Sequence, residues 1–287
     1  MLSKLPITIH FGGKKLLGRV TFAFLLLCAI ALGAGLGLVF VYQSDLPEVN
    51  ALEDYRPNVV TELYADDGQV VGSFALQRRI LLTYDQIPVK LRDAVIVTED
   101  QHFFDHWGID FPRVMQAAWR NVRQRRVTEG ASTLTMQLAG TLFLDRKDRS
   151  LRRKIQETLL AIQIERHYTK EQIFTLYANQ IYLAHGNYGF EAGAQYYFGK
   201  PVGQLTVNEA ALLAGLAKGP IYSPLLNPKG AVTRRNIVLK RLEDEGKVIH
   251  EESERLQKEA LGLHVQDRKS TRLNSSHSRA SRMPSSA

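Results

Sequence analysis

Hydrophobic positions fall into three regimes along the chain: one unbroken apolar run, a short stretch of alternation, and a long body with helical spacing. The run is Val20 to Tyr42, 23 residues without a charge. At 1.5 Å per residue it reaches roughly 34 Å, enough to cross a hydrocarbon core of about 30 Å. A cleaved signal peptide would have a shorter apolar core and a small-x-small site. A lipoprotein cysteine at Cys28 would follow a small residue rather than Leu27. Neither pattern fits, so 20–42 is expected to be an uncleaved transmembrane signal anchor. Lys4, Lys14, Lys15 and Arg19 precede it, and Asp45, Glu48, Glu53 and Asp54 follow it. The positive-inside rule then makes 1–19 a cytoplasmic tail and puts the rest of the chain outside.

An acidic, proline-containing linker occupies 43–58. Val59–Ala65, Val70–Ala75 and Arg79–Thr83 read as three short strands, with Asp66-Asp67-Gly68 as a hairpin turn. They form a small β lead-in over 59–84. From 85 to 266 the spacing is helical. Leu91, Ala94, Val95 and Thr98 mark a first helix after Pro88. Asp110 caps a second, with Pro112 in its first turn and an end near Arg126. Ser132 is the expected cap of a third, ending near Phe143, and Leu151, Ile155, Leu159 and Ile162 are the expected stripe of a fourth. Thr169 with Gln172, and Thr206 with Glu209, spell capping boxes for two more. Further helices are expected near 230–245 and 250–260. The fold class is therefore mainly α. The serine-rich segment 267–287 cannot build a core and is expected to be a disordered, adapter-like tail foreign to the fold.

Charge and cysteine content narrow the function. The net charge is +8, but residues 1–44 carry +4 and 267–287 another +4, so 45–266 is formally neutral. A surface for nucleic acid is not expected. A single cysteine, Cys28, rules out an internal disulfide and any cysteine-based zinc cluster.

Four segments could carry chemistry. Glu99, within Glu99–Gly108, continues the apolar stripe of Leu91 and Val95. A carboxylate there loses water, which disfavours its charged form and suits it to proton transfer. The plainer alternative is a helix-end carboxylate paired with His102 or an arginine. Gly130–Gln137 is a turn and polar helix start whose N–H groups and hydroxyls suit an anionic or sugar ligand, as any capped helix would. Arg146, Lys147, Arg149, Arg152, Arg153 and Lys154 cluster just before Glu157. They read either as a solvated basic face or, because Arg153 and Glu157 are one turn apart, as a pyrophosphate site. His185-Gly186-Asn187-Tyr188-Gly189 reads as a close-packed turn, and its histidine has no second metal ligand nearby.

In order, Glu99–Gly108, Gly130–Gln137, Arg153–Glu157, Tyr177-Ala178-Asn179 through Gly199-Lys200, and Glu209–Gly219 with Tyr222-Ser223-Pro224 resemble the peptidoglycan glycosyltransferase domain of class A penicillin-binding proteins. The resemblance covers roughly Val59 to Leu261. It implies a lysozyme-like, α-helical glycosyltransferase domain at the bacterial inner membrane, anchored as a single-pass type II protein. It further implies polymerisation of lipid II with inversion, and release of undecaprenyl diphosphate. Carried over by motif, Glu99 is the base that deprotonates the acceptor 4-hydroxyl. Glu157 is a second carboxylate near the diphosphate or its divalent metal, Mg or Mn. Arg149, Arg153 and Lys154 neutralise the leaving group, and Ser132, Thr133 and Gln137 line the cleft. Implied partners are lipid II, the growing glycan strand, membrane lipid and cell-wall synthesis proteins, with no organic cofactor. The chain departs from the family pattern at Gln116 and Gly140, where a cation is usual, and at Met136 and Gln156. It contains neither Ser-x-x-Lys nor Lys-Thr-Gly, so penicillin acylation is not expected. Competing readings are a catalytically impaired scaffold or fragment of the same fold, a lysozyme-like hydrolase, and a basic nucleic-acid binder.

Overall fold

The computed structural model describes residues 13–43, 46–47, 49, 61–64, 66, 70–74, 79–124, 130–145 and 147–265. Most of the linker, the Asp67-Gly68 part of the turn, Arg126, Arg146 and the 267–287 tail lie outside the described residues.

The first helix, α1 (Gly13–Gln43), extends the apolar run by a basic turn at its start. Its described apolar side chains, such as Phe22, Phe24 and Leu27, are exposed. Near its end it packs on the later helix Leu151–His167, where the Arg152 guanidinium lies 5.7 Å from the Tyr42 ring centroid. Strands β1 (Thr61–Tyr64) and β2 (Val70–Phe74) form an antiparallel hairpin, with Thr61 opposite Phe74 and an irregularity between Leu63 and Tyr64. The third expected strand is not one. In Arg79–Thr83, Leu82 bonds instead to a side chain: its N–H donates to Asn179 Oδ1 and its carbonyl accepts from Asn179 Nδ2, both at 2.9 Å. One buried amide thus satisfies both backbone groups that a neighbouring strand would have served.

The body is built from α2 (Val89–Glu99), α3 (Phe111–Gln124), α4 (Leu134–Phe143), α5 (Leu151–His167), α6 (Lys170–Gln180), α7 (Phe190–Phe198), α8 (Val207–Leu216), α9 (Pro228–Asp244) and α10 (His250–Lys258). Helix α8 is apolar on nearly all sides and buried from Asn208 to Leu216, which makes it the central post; α2 and α9 pack around it. Helices α4, α5 and α6 form the neighbouring layer. Both capping boxes form: Thr169 with Gln172 starts α6, and Thr206 with Glu209 starts α8. Asp110 caps α3 as expected, accepting the Arg113 N–H at 3.0 Å.

Two local expectations need correction. Thr133, not Ser132, caps α4, because its hydroxyl accepts from the Met136 N–H at 3.2 Å and donates to the Gly108 carbonyl at 2.7 Å. The buried stripe of α5 is Glu157, Leu160, Ala161 and Ile164, whereas Leu151 is 77 % exposed. That face wins because Gly108, at φ +89°, brings the 102–110 loop onto the α5 backbone at Ala161. A side chain at 108 would hold the two segments apart.

Candidate active site

The end of α2 sets two adjacent carboxylates to different tasks. Asp100 is fully buried and accepts the Leu134 N–H at 2.9 Å, pinning the start of α4 beneath α2. His106 Nε2 lies 3.0 Å from the same carboxylate, while its Nδ1 accepts the Gly108 N–H. That second bond puts the ring proton on Nε2, directed at Asp100. The last carbonyls of α2 are closed by cations: Arg113 donates to the Glu99 carbonyl at 2.8 Å and Arg241 to the Thr98 carbonyl at 2.6 Å.

Held this way, Glu99 turns into a cleft with only 6 % of its surface exposed. Its Oε2 accepts from Gln137 Nε2 at 3.0 Å. Its Oε1 makes no hydrogen bond, and Arg234 Nη2 from α9 stands 3.5 Å away. The pairing with His102 considered from sequence does not occur, since His102 Nδ1 pairs with Asp110 at 2.9 Å.

The second carboxylate comes from α5, which begins where the Ser150 hydroxyl accepts the Arg153 N–H. That start puts Arg153, Lys154 and Glu157 on the inward face. Arg153 donates to Glu157 Oε1, and Lys154 Nζ lies 2.7 Å from Oε2. Lys154 also donates to the Ser132 hydroxyl at 2.5 Å. Gly140 on α4 lets the carboxylate approach, for a Cβ there would sit 2.6 Å from Glu157 Oε1.

Glu99 and Glu157 line one cleft of about 350 Å³ together with Ser132, Gln137, Arg153 and Lys154. Two expected members are elsewhere. Thr133 is fully buried, with its hydroxyl spent on the α4 cap and Gly108. Arg149 precedes the helix start and is exposed to solvent, off the cleft wall. Of the departures from the family pattern, Gln116 is exposed on α3 away from the cleft, and Gly140 lines it. His185 pairs with the Ser223 hydroxyl at 2.8 Å and takes no part.

Sequence reasoning gave no site role to Arg234 beside Glu99, or to Tyr177, Gln180 and Lys218 on the cleft wall, although the last three fall within the quoted motifs. The one local signal for Arg234 is the Arg234-Arg235 pair, of which Arg235 is fully buried and donates to the Gln257 and Glu259 carbonyls at the end of α10.

Glu157, the carboxylate expected near a divalent metal, has both oxygens paired with cations, and among the described residues no group of three His, Cys, Asp or Glu side chains is gathered to hold an ion.

A cleft that pairs a dehydrated carboxylate with a cation-clamped second one is organised for transferring a group that departs as an anion. Residues 67–243 match the family model described as transglycosylase, and the chain belongs to that family. It is 46 % identical over 228 residues to penicillin-binding protein 1A of Aquifex aeolicus, covering 78 % of this chain and 31 % of that one. To penicillin-binding protein 1A of Escherichia coli it is 43 % identical over 243 residues, covering 84 % of this chain and 28 % of that one. The chain thus spans about a third of the length of these curated relatives. A crystal structure of penicillin-binding protein 1A from Haemophilus influenzae aligns over 74 % of this chain and 22 % of its own, at 26 % identity and a TM-score of 0.42.

Proposed function

We propose that this chain is a membrane-anchored peptidoglycan glycosyltransferase that polymerises lipid II into glycan strands, releasing undecaprenyl diphosphate during cell-wall synthesis. The observation that carries the reading is the shared cleft of Glu99 and Glu157, with Arg153 and Lys154 paired to Glu157 on its wall. Glu99 takes the proton from the acceptor sugar's 4-hydroxyl while that oxygen attacks the donor's anomeric carbon from the side opposite the diphosphate. One carbon–oxygen bond forms, the bond to the diphosphate oxygen breaks, and the configuration inverts. Arg153 and Lys154 stabilise the charge growing on the leaving group, and Glu157 holds both cations in position. Arg149 and Thr133 have no part in these steps.

In this reading the chain is a type II protein of the bacterial inner membrane, with α1 as the anchor and the body on the periplasmic side. Helix α3 supports a second contact with the bilayer. Its Phe111, Met115, Trp119 and Val122, at helical spacing, are each about seven-tenths exposed, and Trp107 beside them is 86 % exposed. Both substrates carry lipid tails, so a cleft held against the membrane meets them where they reside. Recognition of a diphosphate-linked donor by Arg153 and Lys154 favours synthesis over hydrolysis of finished glycan.

The test is lipid II polymerisation by the full chain in detergent, beside Glu99→Gln. Glycan strands from the wild type and none from the variant support the reading. A wild type that binds a lipid II analogue without turnover favours the scaffold alternative, and one that cuts preformed glycan favours a hydrolase.

A further inference from the structure

Gln180 is the last residue of α6, 97 % buried, and lies on the cleft wall opposite no polar partner among the described residues except one. That partner is Arg79, from the extended segment that replaces the third expected strand: Arg79 Nη1 donates to Gln180 Oε1 at 2.5 Å. Arg79 is itself buried, and its guanidinium stacks 4.8 Å from the Tyr188 ring centroid. The segment is held to the same end of α6 by the paired bonds between Leu82 and Asn179.

An arginine has five N–H donors and no acceptor, so it can receive only the oxygen end of a glutamine amide. The flip of the Gln180 side chain is therefore settled chemically, and the group left for the cleft is its NH2. We propose that Gln180 is a substrate-binding residue that donates a hydrogen bond to an oxygen acceptor of the amino-sugar substrate, and that Arg79 is the positioning residue that fixes its amide. The acceptor class is an acetamido carbonyl, a ring or hydroxyl oxygen, or a phosphate oxygen. A group that could only donate would find no partner there. This inference rests on the glycosyltransferase reading and adds to it a contact contributed by α6.

The experiment measures binding and turnover separately on the full chain, with a soluble short-prenyl lipid II analogue as the probe and lipid II as the substrate. Gln180→Glu keeps the shape and the pairing with Arg79 but offers an oxygen in place of the NH2. It is expected to weaken analogue binding and raise KM by more than about tenfold, with kcat changed by less than about threefold. Gln180→Leu, which buries no charge, should raise KM by about three- to tenfold, the value of one neutral hydrogen bond. Arg79→Met should do the same from outside the cleft, and Arg79→Lys should recover affinity relative to Arg79→Met. Thermal melts identify any variant that fails to fold. If the wild type binds and polymerises while folded Gln180→Glu and Gln180→Leu keep KM within about twofold, the inference is overturned and the glycosyltransferase reading stands. A wild type that neither binds the analogue nor polymerises overturns both.

Discussion

The Gln137 amide donates to Glu99 Oε2 at 3.0 Å, tying the acid at the end of α2 to the first turns of α4. Among the described residues this is the one hydrogen bond to the Glu99 carboxylate, since Arg234 stops at 3.5 Å. Gln137→Leu should therefore lower kcat/KM for lipid II polymerisation by about ten- to a hundredfold, the range of a bond to a charged group. Glu99→Gln should cost more, about 10²- to 10⁴-fold, because it removes the base itself. Initial rates of strand formation rank the two.

The cations on Glu157 differ in exposure, and their removal should differ accordingly. Arg153 is 22 % exposed at its side chain and Lys154 is 44 % exposed. Replacing Arg153 with Met leaves a buried carboxylate half-compensated and should cost about 2–3 kcal/mol of stability. Replacing Lys154 with Met should cost about 1 kcal/mol or less, since solvent already screens that pair. Urea unfolding of the two variants measures the gap.

Gly108→Ala should be among the most disruptive single-methyl additions. At φ +89° an alanine is strained, and its Cβ would lie 3.0 Å from the Ala161 carbonyl carbon and oxygen, backbone atoms that cannot rotate away. A loss of about 2–4 kcal/mol is expected. Gly203→Ala, with nothing within 4 Å, is the control and should stay within about 0.5 kcal/mol.

Stability should carry an acid limb from the α3 cap. Burial pushes the Asp110 carboxyl up, but the Arg113 N–H and the His102 ring outweigh it and leave it below the ordinary aspartate value. A depressed carboxyl stabilises the fold above the unfolded pKa of about 3.9 and loses that contribution as pH falls through its lower folded value. Asp110→Asn should therefore melt earlier than the wild type at neutral pH, and the difference should close below about pH 4. Melting curves across pH 2.5–7, a window about the aspartate value, read this directly.

The sequence contains two tryptophans, Trp107 and Trp119, and both lie on the exposed apolar side of α3 and its preceding loop. Selectively excited tryptophan fluorescence thus reports on that surface alone. In vesicles containing phospholipid brominated on its acyl chains, emission should be quenched relative to unbrominated vesicles. Unchanged emission would rule out the α3 surface as a membrane contact.

What could be read in advance was local. Capping boxes are decided within four residues, so the starts of α6 and α8 follow from Thr169 and Thr206 alone. The spacing of Leu91, Val95 and Glu99 likewise foretells a carboxylate turned toward the interior. The choice between Ser132 and Thr133 was not local, because the Gly108 carbonyl, 25 residues earlier, selects the threonine. Freed from capping, Ser132 faces Lys154 instead. The same limit hid the buried face of α5, where two stripes of similar spacing compete and the approach of Gly108 decides. Arg149 and Arg153 look alike in a cationic run, yet the helix start at Ser150 sends only the second inward. The pairing of Arg79 with Gln180 spans 101 residues and has no signature in either segment.

The paired bonds between Leu82 and Asn179 fasten the segment before α2 to the end of α6, next to the cleft residue Gln180. Along that segment the Arg79–Gln180 bond comes first and the Leu82–Asn179 pair second, both at the end of α6. The cleft wall at Gln180 is therefore only as firm as the segment that precedes α2.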